Sequence, residues 1–209
     1  MVTMERRKIV LVAVILSAVI GGAVILANTG RLSQAANDDA CMLKTLDSVV
    51  TDFPVKQPDT SSMPAGFQLE GVDYAGRTVI MFYADHSLCP LTESYGGLID
   101  KGAIVISVNK SDEIKDSIQF QNQELEYYAN NTETLAKVEP ITVNGNKGIG
   151  WEPFNGTDTV RIDGNIVKQE PIKMPGWVRF YDDQDGTIYG IRGHQPLQVL
   201  VKIAESLHR

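Results

Sequence analysis

The chain has 209 residues and a formal charge of −7, with 43% of its residues hydrophobic and 22% charged. That balance excludes an intrinsically disordered chain, and the acidity leaves no basic face for nucleic acid. The length allows one sizeable domain plus extras.

The first eight residues end in Glu5-Arg6-Arg7-Lys8, and residues 9–27, IVLVAVILSAVIGGAVILA, carry no charge and no aromatic ring. As a helix this run spans ~28 Å, close to the ~30 Å hydrocarbon thickness of a bilayer. A buried core helix would show a polar stripe, and here only Ser17 interrupts the apolar residues. Arg6, Arg7 and Lys8 precede the run, whereas Arg31 is the only basic residue soon after it. The positive-inside rule then keeps residues 1–8 in the cytoplasm and makes 9–27 a single-pass anchor in the cell membrane, with the carboxyl-terminal part extracytoplasmic. A cleaved signal peptide is the rival reading, with Ser33-Gln34-Ala35 as a small-x-small site. The apolar region of such a signal, however, is about 7 to 15 residues long. Residues 28–39, NTGRLSQAANDD, read as a tether, which leaves 40–209 as the extracytoplasmic domain.

That domain opens with Met42, Leu46, Val49, Val50 and Phe53 at helical spacing after the capping-competent Asp38 and Asp39. Pro58, Pro64 and Gly66 end this helix, and the chain turns β-rich. FQLEGVDY (67–74) and RTVIMFYA (77–84) flank Ala75-Gly76 as a hairpin, and AIVISVN (103–109) suits a central strand. A second helix is expected from Ser111, with Asp112 and Glu113 in its first turn and Ile114, Ile118 and Leu125 on one face. Asn144-Gly145-Asn146 and Asp163-Gly164 then join two further pairs of strands through residues that tolerate positive φ. GWVRFY and GTIYGIRG form the last hairpin across DDQDG, with Val178 and Phe180 on one side. Pro196 starts a final helix whose Leu197, Leu200, Val201, Ala204 and Leu207 form a stripe for packing on the sheet. The sum is an α+β fold: an N-terminal transmembrane helix followed by a mainly antiparallel sheet with two or three packed helices.

Few residues carry chemistry. The acidic turn fails as a calcium loop. With Gly186 at its sixth position, positions one and twelve would be Tyr181 and Arg192, which are not carboxylates. Ser94 lacks a G-x-S-x-G context, and His86 and His194 are the only plausible bases. His86 and Cys89 supply at most two zinc ligands. No dinucleotide or phosphate-binding glycine loop occurs, so no cofactor and no metal is expected. Asn109, Asn130 and Asn155 head N-x-S/T tripeptides that this topology would expose to glycosylation. Cys41 and Cys89 are the two cysteines, both on the oxidising side, and an intramolecular disulfide between them is expected. A free thiol for catalysis, metal or an intermolecular bridge is the alternative.

Trp177, the Asp185-Gly186 turn, Tyr189, Gly193 and the closing LVKIAESL (200–207), with PAGFQLEGV (64–72) near the start, carry a resemblance. They are similar to a family of membrane-tethered extracytoplasmic domains of unknown function, found in archaea and sporulating bacteria, often beside anti-sigma-factor regions. The resemblance covers residues 63–208 and implies a curved antiparallel sheet with helices on its concave side, as in lipoprotein-carrier half-barrels. It brings no catalytic residues. Only eight residues precede the anchor, so no sigma-binding domain is expected. The reading is a non-catalytic binding or sensing module for a lipid, peptide or envelope-protein partner. The alternative is an extracytoplasmic hydrolase or redox enzyme with a dispersed active site near His86 or His194.

Overall fold

The computed structural model describes residues 43–89, 94–131, 136–162 and 165–208. Among them no helix is long and apolar enough to cross a membrane. The expected anchor (9–27), the tether and Cys41 lie outside the described residues.

Strands β2 (Gln68–Ala75), β3 (Thr78–Ala84), β4 (Ile104–Lys110), β5 (Glu139–Val143), β6 (Asn146–Trp151), β9 (Gly176–Asp182) and β10 (Thr187–Gly193) form one sheet. Its order is β2-β3-β4-β10-β9-β6-β5, and every neighbouring pair is antiparallel. With helices α1 (Tyr95–Asp100), α2 (Ser117–Asn130) and α3 (Leu197–Glu205), the domain is α+β with a mainly antiparallel sheet. Two short strands, β1 (Gln57–Pro58) and β11 (Leu207–His208), pair the start of the domain to its end. The hairpin of β7 (Phe154–Ile162) and β8 (Asn165–Met174) forms a two-stranded ribbon, with no third strand among the described residues.

The turns follow their residues. Asn144 (φ 48°) and Gly145 (φ 90°) close the β5–β6 hairpin in the left-handed region that a two-residue hairpin turn requires. The β2–β3 turn falls on Gly76 and Arg77, one residue later than the sequence pattern suggests, because Gly76 (φ 66°) supplies the positive φ. Around the 163–164 position, Ile162 pairs with Asn165, so β7 and β8 form the expected hairpin and are longer than expected.

Two expected helices differ. Residues 43–53, the described part of the expected first helix, do not form an α-helix. Among them only Leu46–Ser48 makes a single 3-10 turn, and Lys44 pairs with Val72 as a β-bridge. Thr45, Val49, Val50 and Thr51 are β-branched and weak helix formers, and Val50 points to solvent. Helix α2 begins at Ser117 instead of Ser111. Its N-cap is Asp116, whose side chain accepts from Gln119 N, while Ser111 accepts from Ile114 N in a preceding turn. Ile118, expected on the packed face, is 61% exposed.

Partners across an antiparallel ladder share a face, so the register divides the sheet into rows. Val72, Met81, Ile106, Ile191 and Val178 form a row on one face. Helix α3 covers it with Leu200 and Ile203, both wholly buried, and Glu152 accepts from Leu197 N at the helix start. Phe82, Val105, Arg192, Trp177 and Trp151 form a row on the opposite face, which α1 and α2 cover. The helices thus cover both faces, not only the concave side that the half-barrel resemblance implies.

Candidate functional site

The face under α2 holds the unusual chemistry. On β9, Trp177 and Arg179 are two residues apart and so project from the same side. The β9–β10 register sets Arg192 opposite Trp177, and the β6–β9 register sets Trp151 on its other flank. Gly190 lets the Trp177 indole lie close to the sheet. A Cβ at that position would stand 3.0 Å from Trp177 Nε1 and 2.8 Å from Ser107 Oγ.

Above this row α2 presents Phe120, Gln121, Glu124 and Tyr128, a helical face that is mostly polar. Gln121 donates to Ile141 O (3.1 Å) and Gly148 O (2.6 Å), fixing the helix to β5 and β6. Glu124 accepts from Arg179 at 2.5 Å, and burial lifts its carboxyl above the ordinary range despite the partial compensation from Arg179. Trp151 and Trp177 meet edge to face at 4.9 Å, and Tyr128 meets Trp151 at 5.3 Å. The Cζ of Arg179 stands 5.0 Å, and that of Arg192 4.1 Å, from the Trp177 ring centroid.

The two arginines differ in one respect. Arg179 has its carboxylate. Among the described residues no carboxylate pairs with Arg192, and its Nε is enclosed without a hydrogen-bond partner. Burial pushes its guanidinium below the ordinary 12.5, and the neighbouring Arg179 charge pushes the same way. It borders a cavity of about 330 Å³ between Tyr128, Trp151, Trp177 and the root of the β7–β8 ribbon at Phe154, Gly156 and Met174. This is the size range of small-molecule sites, and the wall chemistry fits: aromatic rings with a few polar groups, among them the Arg192 guanidinium and the Trp177 Nε1–H, which is also buried without a partner.

The residues singled out by sequence do not gather there. His86 pairs with its neighbour Asp85 on an exposed segment, and His194 Nε2 lies 3.2 Å from Asp100. Ser94 caps α1, accepting from Gly97 N, a short helix that the sequence reading treats as loop. Among the described residues no hydroxyl is hydrogen-bonded to a histidine ring, and no three His, Cys, Asp or Glu side chains are grouped to hold a metal. Asn130 and Asn155 are exposed, whereas Asn109 is half-buried in β4 between Thr78 and Ile188.

The acidic turn is tied into the structure. Lys56 reaches Asp182 (2.5 Å) and Asp185 (2.8 Å), and Asp183 accepts from Ser117 N and Oγ at the start of α2. Burial pulls the Lys56 ammonium down, but its hydrogen bonds to the two aspartates and their charges outweigh this and raise it above 10.5.

The cavity could have been located in part from sequence. In the hairpin across DDQDG, Asp182 pairs with Thr187, and counting outward pairs Trp177 with Arg192. What no count reveals is that no described carboxylate pairs with Arg192. Comparison with known proteins finds no matching family model, no matching curated protein and no matching solved structure.

Proposed function

We propose that this chain is a membrane-tethered extracytoplasmic module that binds or senses a small ligand without transforming it. The observation that carries the reading is the aromatic cavity, whose walls offer one cation and no nucleophile paired with a base. The charge-free 9–27 run behind Arg6, Arg7 and Lys8 supports the tether. Likeness to the membrane-tethered family, including its curved half-barrel sheet, is part of the same proposal.

A Cys41–Cys89 disulfide belongs to it as well. Cys41 lies outside the described residues, but Leu43 and Leu88 pack on one apolar cluster, and no described cysteine is free. Closing a loop of this length constrains the unfolded chain by about 4 kcal/mol in the entropy model. Thiol counting on denatured, unreduced protein tests it, and two reactive thiols per chain would remove the bridge.

Two measurements test the function. Fractionation of tagged protein should leave the full-length chain in the membrane; a soluble product beginning near residue 36 would replace the anchor with a signal peptide. Saturation-transfer NMR of the full chain against small aromatic acids, amides and amines should show binding by at least one class, lost in Trp151→Ala. Silence from all three classes at millimolar concentration would end the cavity reading.

A further inference from the structure

We infer that the cavity is selective for a small organic monocarboxylate carrying an apolar body, with Arg192 as the residue that receives the carboxylate. The inference rests on the binding reading above and adds the chemical class of the ligand. Three observations carry it.

The first is an uncompensated charge. A guanidinium held away from water normally has a carboxylate beside it, because leaving it alone forfeits hydration with nothing in return. Arg179, on the same indole, obeys this through Glu124 at 2.5 Å. Arg192 does not: among the described residues it has the Trp177 ring at 4.1 Å and no anion, and its Nε has no acceptor. Contact with the ring face offsets part of the loss but uses none of the N–H donors. The missing partner is an acceptor that can lie in the guanidinium plane, which a carboxylate does with two parallel hydrogen bonds. In a chain of net charge −7 this unpaired cation is not a trace of general basicity.

The second observation is the number of cations. A phosphate dianion would call for more than one, and Arg179 is committed to Glu124. Among the described residues no lysine borders the cavity. One free guanidinium matches one negative charge. An organic cation, which stacked rings can otherwise cage, is disfavoured by Arg192 in the same wall.

The third is the remainder of the wall. Tyr128, Trp151, Phe154 and Met174 surround about 330 Å³, far more than a single water or small inorganic anion needs. An inorganic anion would leave that aromatic surface wet, whereas an aryl or short alkyl body fills it and excludes water from the ion pair.

The test compares 3-phenylpropanoate with 3-phenylpropanamide, equal in size and differing in charge, by calorimetric titration of the full chain at neutral pH. The acid is expected to bind about tenfold to a hundredfold tighter, the span of a charge-assisted hydrogen bond. In Arg192→Gln the acid is expected to fall to the affinity of the amide, while the amide is unchanged. Equal affinity in the native chain would overturn the inference and leave the binding reading standing. So would an acid preference that survives Arg192→Gln. Binding of neither compound, in a chain that binds an aromatic amine, would likewise overturn the inference alone; binding of no aromatic probe at all removes the binding reading with it. The acid–amide comparison on the native chain needs no variant, so a poorly folding Arg192→Gln does not blunt the test.

Discussion

The two faces of the sheet are built on opposite terms. Under α3, apolar side chains from five strands meet Leu200, Ile203 and Ala204, and the buried polar side chains of that face, Asp182 and Thr187, sit at the turn end of the last hairpin, where Lys56 pairs with Asp182. Under α2, the same strands present two arginines, two tryptophans and a half-buried serine to a helix whose inward side chains include glutamine and glutamate. The first face is where burial of apolar area yields stability, about 1.5 to 3 kcal/mol for each fully buried large side chain. The second spends some of that stability on a charged and incompletely filled surface. Alternation along each strand separates the two tasks: Val178 and Trp177 are adjacent in sequence and belong to opposite faces.

The sharpest way to break this contrast is to cut into the aliphatic face. Leu200→Ala should cost about 2 to 5 kcal/mol in denaturant melts, since a wholly buried leucine leaves a cavity. A loss near zero would mean that α3 is not seated on the sheet. Lys56→Ala should follow at about 3 kcal/mol, because it strands the buried Asp182 carboxylate and weakens the hold on Asp185. The native contribution of Lys56 also has a pH signature. Its folded value is raised above 10.5, so the contribution is complete below that pH and is lost as pH rises beyond it. The variant should lack this alkaline limb.

On the α2 face the expected effects are smaller and one changes sign. Gly190→Ala should cost about 1 to 3 kcal/mol by pushing Trp177 off the sheet, and the near-ultraviolet circular dichroism of the indole should report the displacement. Arg192→Gln should shift stability by less than about 1 kcal/mol or raise it, since an unpaired charge is removed from an enclosed site. A loss comparable to Leu200→Ala would make Arg192 a structural residue. The smallest effect is a slope. The Glu124 carboxyl is raised above 4.5 in the fold, so in the window just above that value the native state binds more protons than the unfolded chain. Stability from this group falls as pH rises through the window, and Glu124→Gln should flatten it.

Most of the sheet was legible because its turns are chemically explicit. Asn144-Gly145 and Gly76 mark where positive φ is needed, and the stripe Leu197, Leu200, Ala204 behind Pro196 marks α3. Helix α2 was misplaced for a physical reason. Ser111, Asp112 and Glu113 imitate a helix start, while the real docking face of Gln121 and Glu124 makes no apolar stripe to count. The opening segment was misread because Val49, Val50 and Phe53 match helical spacing by chance, and its pairing with Val72 is a long-range contact. The site was the least legible part. His86, Ser94 and Cys89 cluster in sequence but not around the cavity, whereas Trp151, Trp177 and Arg192 are scattered in sequence and adjacent across three strands.

The β7–β8 ribbon carries a consequence for time rather than for affinity. Its nine-residue β7 is ~30 Å long, and a two-stranded ribbon without a third strand is marginally stable in water. Its amides should exchange with solvent far sooner than those of β9 and β10, which are hydrogen-bonded on both sides. The floor of the cavity, at Trp177 and Arg192, is therefore expected to open only with the whole sheet, and its outer wall at Phe154, Gly156 and Met174 to open with the ribbon. Residence time of a bound molecule would then be set by the fraying of one hairpin, and mutations that stiffen the ribbon would lengthen it without touching the charge that selects the ligand.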